Sequence, residues 1–265
     1  MKKELVHSDI YYVLGTMVRF SLWGDESQAQ KAIDQAVKKL YEIDDKMSYF
    51  KEDSEVSKIN AMAGKGTVKV SSDTFEVISV AKRFGSLTNG ALDVTFRRKG
   101  QEIDLGSIAK GFAADKVAEI FRSYEIESAL INLGGNIYVI GNDPSNQPWR
   151  IGIRDPFGER NEIIGSIEVS DKSIVTSGNY EHEEHLVDPR TGRPVDNDLA
   201  SVSIISNRSI DGDALATAGM VLGLEEGMRL MKSIDGIQAI FITNDREIKL
   251  SNSDLKWGDL NEKAI

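Results

Sequence analysis

Residues 102–121 read EIDLGSIAKGFAADKVAEIF, and residues 128–140 read SALINLGGNIYVI. The first run predicts a short strand over 102–105, a glycine turn, and a helix from Ser107 to Phe121. The inner stripe of that helix is Ala109, Phe112, Ala113, Val117, Ile120 and Phe121, which recur at helical spacing. The second run predicts two strands joined at Gly134-Gly135. Helix and paired strands are mixed here without the strict strand–helix–strand alternation of a doubly wound sheet, and the rest of the chain repeats the pattern.

Outward from this centre, residues 11–23 read as a strand interrupted by Gly15. Asp25 to Met47 carries helical periodicity, with Asp25 and Gln28 as an N-terminal capping pair. Residues 53–61 predict a short helix, and residues 72–88 a longer one ended by Asn89-Gly90. WRIGIR (149–154), GSIEVS (165–170) and LASVSIIS (199–206) alternate like strands. Helices are expected at 213–222 and 225–233, then strands at 237–243 and 246–250. The expected class is α+β, with mixed or antiparallel sheets packed against helices as two closely associated lobes around a cleft. No repeat or linker divides the chain, so residues 1–265 are read as a single domain.

Composition narrows the chemistry. Cysteine is absent, which excludes disulfides, thiolate nucleophiles and cysteine-bound metal. The net charge of −10 argues against nonspecific binding to nucleic acid or to anionic membranes. No apolar run approaches membrane-spanning length. The start, MKKELVHSDI, shows no apolar export segment, so the cytoplasm is the expected compartment.

Three stretches could carry chemistry. Asp104-Leu105-Gly106-Ser107-Ile108-Ala109-Lys110-Gly111 places a glycine turn before a helix, where free N–H groups and Lys110 could meet an anion. A plain turn with a surface lysine is the alternative. In Asp211-Gly212-Asp213-Ala214-Leu215-Ala216-Thr217, Asp213 and Thr217 are one helical turn apart, a hard-oxygen pair suited to magnesium. The alternative makes Asp213 an N-cap. Residues 181–192 read EHEEHLVDPRTG, and the i, i+3 spacing of His182 and His185 misses both zinc-protease signatures. His185 is then either a proton acceptor just before a loop or one of two solvated histidines.

Taken together and in order, these stretches resemble the FAD:protein FMN transferases, the ApbE-type flavin transferases. The resemblance is carried by LGTMV, MSYFKEDSEVSKIN, GALDVT, IDLGSIAKGFAADKV, INLGGNIYVIG, the WRIGIRDP run, IVTSGNYE, HLVDPRTGRP and DGDALATAGMVLG. It implies a cleft that binds FAD, and transfer of its FMN half to a threonine or serine of an acceptor protein, a redox flavoprotein, with release of AMP. By the same resemblance Asp213, Thr217 and the Ser107 carbonyl hold Mg2+. Leu14, Phe50, Ala91, Leu92, Asp93, Asp104, Lys110, Gly134, Gly135 and Val187 contact FAD, and His185 deprotonates the incoming hydroxyl. The glycine pair is expected to let the backbone approach the cofactor. The chain has Leu14 where the family usually has methionine and Phe50 where it usually has tyrosine. Only Phe96 to Ile103 stand where the family has some tens of residues, which predicts a missing or replaced wall over the flavin. A magnesium-dependent FAD pyrophosphatase and a non-catalytic FAD-binding protein are the competing functions.

Overall fold

The computed structural model describes residues 4–95, 102–159, 162–178 and 186–258. Its elements in chain order are strands β1 (Glu4–His7), β2 (Tyr11–Val13) and β3 (Thr16–Gly24), then helices α1 (Glu26–Met47), α2 (Glu55–Met62), α3 (Ser72–Leu87) and α4 (Ala109–Ser123). Strands β4 (Ser128–Leu133), β5 (Asn136–Ile140), β6 (Trp149–Arg154), β7 (Ile163–Val169) and β8 (Ser173–Gly178) follow. The short β9 (Val187–Asp188) and β10 (Arg193–Pro194) lead to β11 (Leu199–Ser206) and helix α5 (Ser209–Lys232). Strands β12 (Gln238–Thr243), β13 (Ile248–Leu250) and β14 (Trp257–Gly258) complete the order.

The class is α+β, as expected. A nine-stranded sheet runs β1-β3-β4-β5-β8-β11-β12-β13, with β2 also on β3. Every pairing described in it is antiparallel. β6, β7 and β14 form a second, three-stranded sheet, and β9 and β10 a separate ribbon. Strand alternation sends Val18, Phe20, Leu22, Ile131, Val175, Val202 and Ile204 to one face, where α1, α4 and α5 cover them. Val139, Ile174, Ile205, Ile240 and Ile242 face the other way, onto Trp149, Ile151, Ile153, Ile167 and Val169 of the small sheet. The molecule is therefore layered as helices, large sheet and small sheet.

Local chemistry explains most boundaries. Asp25 caps α1 by accepting from Gln28 N at 3.0 Å, as the sequence predicts. The strand read over 11–23 is a hairpin, because Leu14 (φ 55) and Gly15 (φ 70) turn the chain back. The strand expected at Glu102–Leu105 is absent. Glu102 makes a single bridge, and the side chain of Asn60 replaces a partner strand. Asn60 Oδ1 accepts from Ile103 N at 2.8 Å, and its Nδ2 donates to Ile103 O at 2.9 Å. The two helices expected at 213–222 and 225–233 are both present within α5, which starts earlier, at Ser209, and is divided at Gly223 (φ 78, ψ 179). Its first half ends on Asn197, whose Nδ2 donates to Met220 O at 2.7 Å.

Candidate active site

The site is built where the first turns of α4 and α5 cross. Gly111 makes the crossing possible. A Cβ at that position would overlap the Ser209 carbonyl oxygen and lie 2.7 Å from Ile210 Cα. With the helices this close, each satisfies an N-terminal donor of the other. Asp213 Oδ2 on α5 accepts from Gly111 N of α4 at 2.8 Å. Asp115 on α4 accepts from Ser209 N at 2.6 Å and from Ile210 N at 3.0 Å, at the start of α5. Early N–H groups of a helix have no partner within the helix, so a carboxylate from a neighbour is well placed there.

This geometry removes one alternative for Asp213. The helix begins four residues before it, after Arg208, so Asp213 does not cap its own helix. It is 3% exposed and reaches across to α4 instead. Burial pushes its carboxyl above the usual carboxylate range, opposed by the charge of Lys110, the Gly111 N–H and the Asn136 amide. Asn136 is itself buried, and its Nδ2 reaches no acceptor at ordinary hydrogen-bond distance. Burial also raises Asp115, to about 6, against the Ile210 and Ser209 N–H groups and Arg208. Thr217, partly buried, follows Asp213 by one turn of α5. Among the described residues no three His, Cys, Asp or Glu side chains gather as a metal cluster. A cation at this crossing would be held by mixed oxygen donors.

The turn before α4 is more fully occupied than its sequence suggests. Asp104 Oδ1 accepts from Gly106 N at 2.9 Å. Leu105 O accepts from Ile108 N and Ala109 N, and Gly111 N goes to Asp213. Four N–H groups of the junction are thus engaged internally. Lys110 lies in the first turn of α4, with Nζ 3.4 Å from Gly106 O. Ser107 sits in the turn that leads into α4, partly buried.

Three further segments approach from other elements. Ala91 and Leu92 are buried, while Asp93 accepts from Thr95 N and Oγ1. Asp104 N donates to Val94 O at 2.7 Å, which ties this segment to the turn before α4. Val187 lies in the β9–β10 ribbon opposite Pro194. In that ribbon Arg190 pairs with Asp188 at 2.9 Å, which holds the carboxyl of Asp188 below its usual range. The Arg190 side chain also lies against Gly90, 3.5 Å from where a Cβ would stand, so ribbon and segment meet. Leu14 is at the β2–β3 turn, packed against the core. Its neighbour Thr16 occupies the space a side chain at Gly134 would need. Gly134 (φ 60) is thus demanded by this packing before any cofactor is considered, whereas Gly135 (φ 101) is demanded by its backbone.

Phe50 is 85% exposed beside Tyr49, whose hydroxyl donates to Glu102. His185 lies outside the described residues, as does His182. Sequence reasoning missed Asp115, Asn136 and the Asn60 clamp. A signal for Asp115 was present: Gly111 and Asp115 share a helix face at i, i+4.

Comparison with known proteins decides the family. The sequence model of the ApbE family matches residues 14–101 and 95–241. The chain belongs to the ApbE family. A protein of Klebsiella pneumoniae named FAD:protein FMN transferase is 31% identical, over 95% of this chain and 94% of its own length. One of the same name from Treponema pallidum is 29% identical, over 90% and 85%. Among solved ApbE structures, the flavin transferase of Vibrio cholerae superposes with a TM-score of 0.83 at 28% identity, covering 94% of this chain and 96% of that one. The ApbE protein of Thermotoga maritima gives 0.80 at 26%, covering 94% and 96%. Among the described residues no helix is long and apolar enough to cross a membrane.

Proposed function

We propose that this chain is a magnesium-dependent FAD:protein FMN transferase, organised as one domain over residues 1–265. Its acceptor is a redox flavoprotein bearing a threonine or serine. The observation that carries the reading is the buried Asp213 carboxylate at the α4–α5 crossing, with Lys110 beside it and Thr217 one turn on. The names of the similar proteins support it.

The residues present suit a small hard cation. A buried carboxylate offset only by one N–H group, an amide and a lysine is stabilised by a metal charge. Asp213, the Thr217 hydroxyl and the Ser107 carbonyl would hold it. When bound, magnesium supplies charge neutralisation on the pyrophosphate. Lys110 would bind the same phosphates. Asp104, Ala91, Leu92, Asp93, Leu14, Gly134, Gly135 and Val187 would line the FAD site, and Phe50 would offer its open aromatic face to the flavin. The acceptor hydroxyl oxygen forms a bond to the phosphorus of the FMN half. The P–O bond to the AMP half breaks, and AMP leaves with that electron pair. The hydroxyl proton passes to His185.

The test is to incubate the purified protein with FAD, with and without magnesium and an acceptor domain, and to separate the nucleotides. Acceptor-dependent AMP release, with flavin retained on the acceptor, is expected. FMN and AMP formed without an acceptor would make it a pyrophosphatase, and intact FAD in every tube would leave a binding protein. Asp213→Ala should lower magnesium-dependent turnover by about 10²–10³-fold or more. His185→Ala should slow transfer and leave FAD binding intact.

A further inference from the structure

We propose that Asp115 is a positioning residue: by capping the first turn of α5 it sets Asp213 and Thr217 against the start of α4, and so sets the affinity of the site for magnesium. This rests on the functional reading above.

Three observations carry it. First, the capping is reciprocal. Asp115 takes Ser209 N and Ile210 N, and four residues earlier on the same helix Gly111 N goes to Asp213. The two carboxylates close a cycle from α4 to α5 and back, joined within each helix by one turn. Second, the cycle spans the closest approach of the two helices, where Gly111 has no room for a Cβ against Ser209 and Ile210. A shift of the α5 first turn therefore moves Asp213 directly. Third, the neighbouring charged side chains make their ion pairs with partners other than Asp115. Arg208 pairs with Glu76, Lys116 with Glu76 and Glu119, and Asp211 with Arg83. That outer network ties α3 to α4 and α5 without Asp115. The two short bonds of Asp115 are thus spent on the α5 terminus. Groups that orient a metal ligand without touching the metal commonly change affinity by about 10–100-fold when removed.

The experiment compares wild type, Asp115→Ala and Asp115→Asn. Magnesium chloride is titrated against each in the presence of FAD, read as the magnesium-dependent rise in melting temperature and by calorimetry. Transfer kinetics are measured at saturating magnesium. Asp115→Ala is expected to weaken magnesium binding by about 10-fold. Asp115→Asn, whose amide oxygen replaces one of two acceptors, is expected to fall between the two. High magnesium should restore kcat in both. A purely structural role would lower the melting temperature of the metal-free protein and leave magnesium affinity unchanged. That result, with wild type binding magnesium normally, overturns the proposal. Should Asp115→Ala fail to fold, equal affinity in Asp115→Asn and wild type overturns it. Absence of magnesium binding to wild type would instead sink the metal reading itself, and this proposal with it.

Discussion

Against one face of the nine-stranded sheet lies the small sheet, and the contact is made by isoleucine, valine and tryptophan. Against the other lie α1, α4 and α5, and there charged groups stand among alanines and glycines: Asp115, Asp213 and Lys110. An apolar contact is specified by volume, and a missing group leaves a void. A contact between helix ends is specified by direction as well, since each early N–H group seeks one acceptor. The difference teaches where this fold can hold charge below its surface. Helix termini supply fixed donors that offset the burial of a carboxylate, and a strand face does not.

The strongest way to break that contrast is Trp149→Ala on the small-sheet side. Trp149 is fully buried, packs edge-on to Trp23 at 5.2 Å, and donates from Nε1 to Ile140 O at 3.3 Å. Its loss should cost about 3–5 kcal/mol of stability by denaturant titration. Transfer per folded molecule should be unchanged. A fall in kcat beyond the loss of folded protein would mean the two faces are coupled, and the contrast would fail.

The helix side should show a charge signature that the small-sheet side lacks. The folded protein holds the Asp115 carboxyl at about 6, above the 3.8 of an unperturbed aspartate. Between these values the folded state binds more protons than the unfolded one, so stability falls as pH rises from about 4 to about 6. For this partly exposed group the component is on the order of 2 kcal/mol. Unfolding measured across that window should show the decline in wild type and a flatter profile in Asp115→Asn. Parallel profiles would remove the burial assigned to Asp115.

Gly111→Ala probes the same crossing by volume. The added methyl meets backbone, the Ser209 carbonyl and Ile210 Cα, which cannot rotate away. About 1–3 kcal/mol of stability should be lost. Unlike Trp149→Ala, this variant should also lose magnesium affinity, because α5 must move. Unchanged magnesium binding would show that Asp213 tolerates displacement.

Much of this was legible in the sequence, for reasons that differ by residue. The α1 boundary followed from Asp25 and Gln28, since a cap is a local bond between near neighbours. The pairing of β4 and β5 followed from Gly134-Gly135 between two apolar runs. The strand at Glu102–Leu105 was misread because its partner is one side chain, Asn60, 43 residues away, and no periodicity records such a bond. The candidate residues Asp213, Lys110 and Thr217 were visible as types and spacings. Their setting was not, because the Gly111–Ser209 contact joins segments about a hundred residues apart. Gly134 was read for a cofactor, whereas Thr16 already requires it.

The smallest expected effect sharpens the boundary of the site at its exposed rim. Arg190 is bonded to Asp188 on one side and lies along Gly90 on the other. Its charge pair is partly solvated, so Arg190→Ala should cost about 0.2–1 kcal/mol of stability at most. Yet the side chain joins the ribbon that carries Val187 to the segment that carries Ala91, Leu92 and Asp93. If those two segments form opposite parts of one FAD wall, loosening the seam should raise KM for FAD by about threefold with kcat unchanged. That pattern is loss of binding shared by ground and transition states. The contrast with Asp213→Ala is then one of kind, since a group acting on the transferring phosphate changes kcat. An unchanged KM would take the ribbon out of the FAD wall and leave Val187 as packing alone.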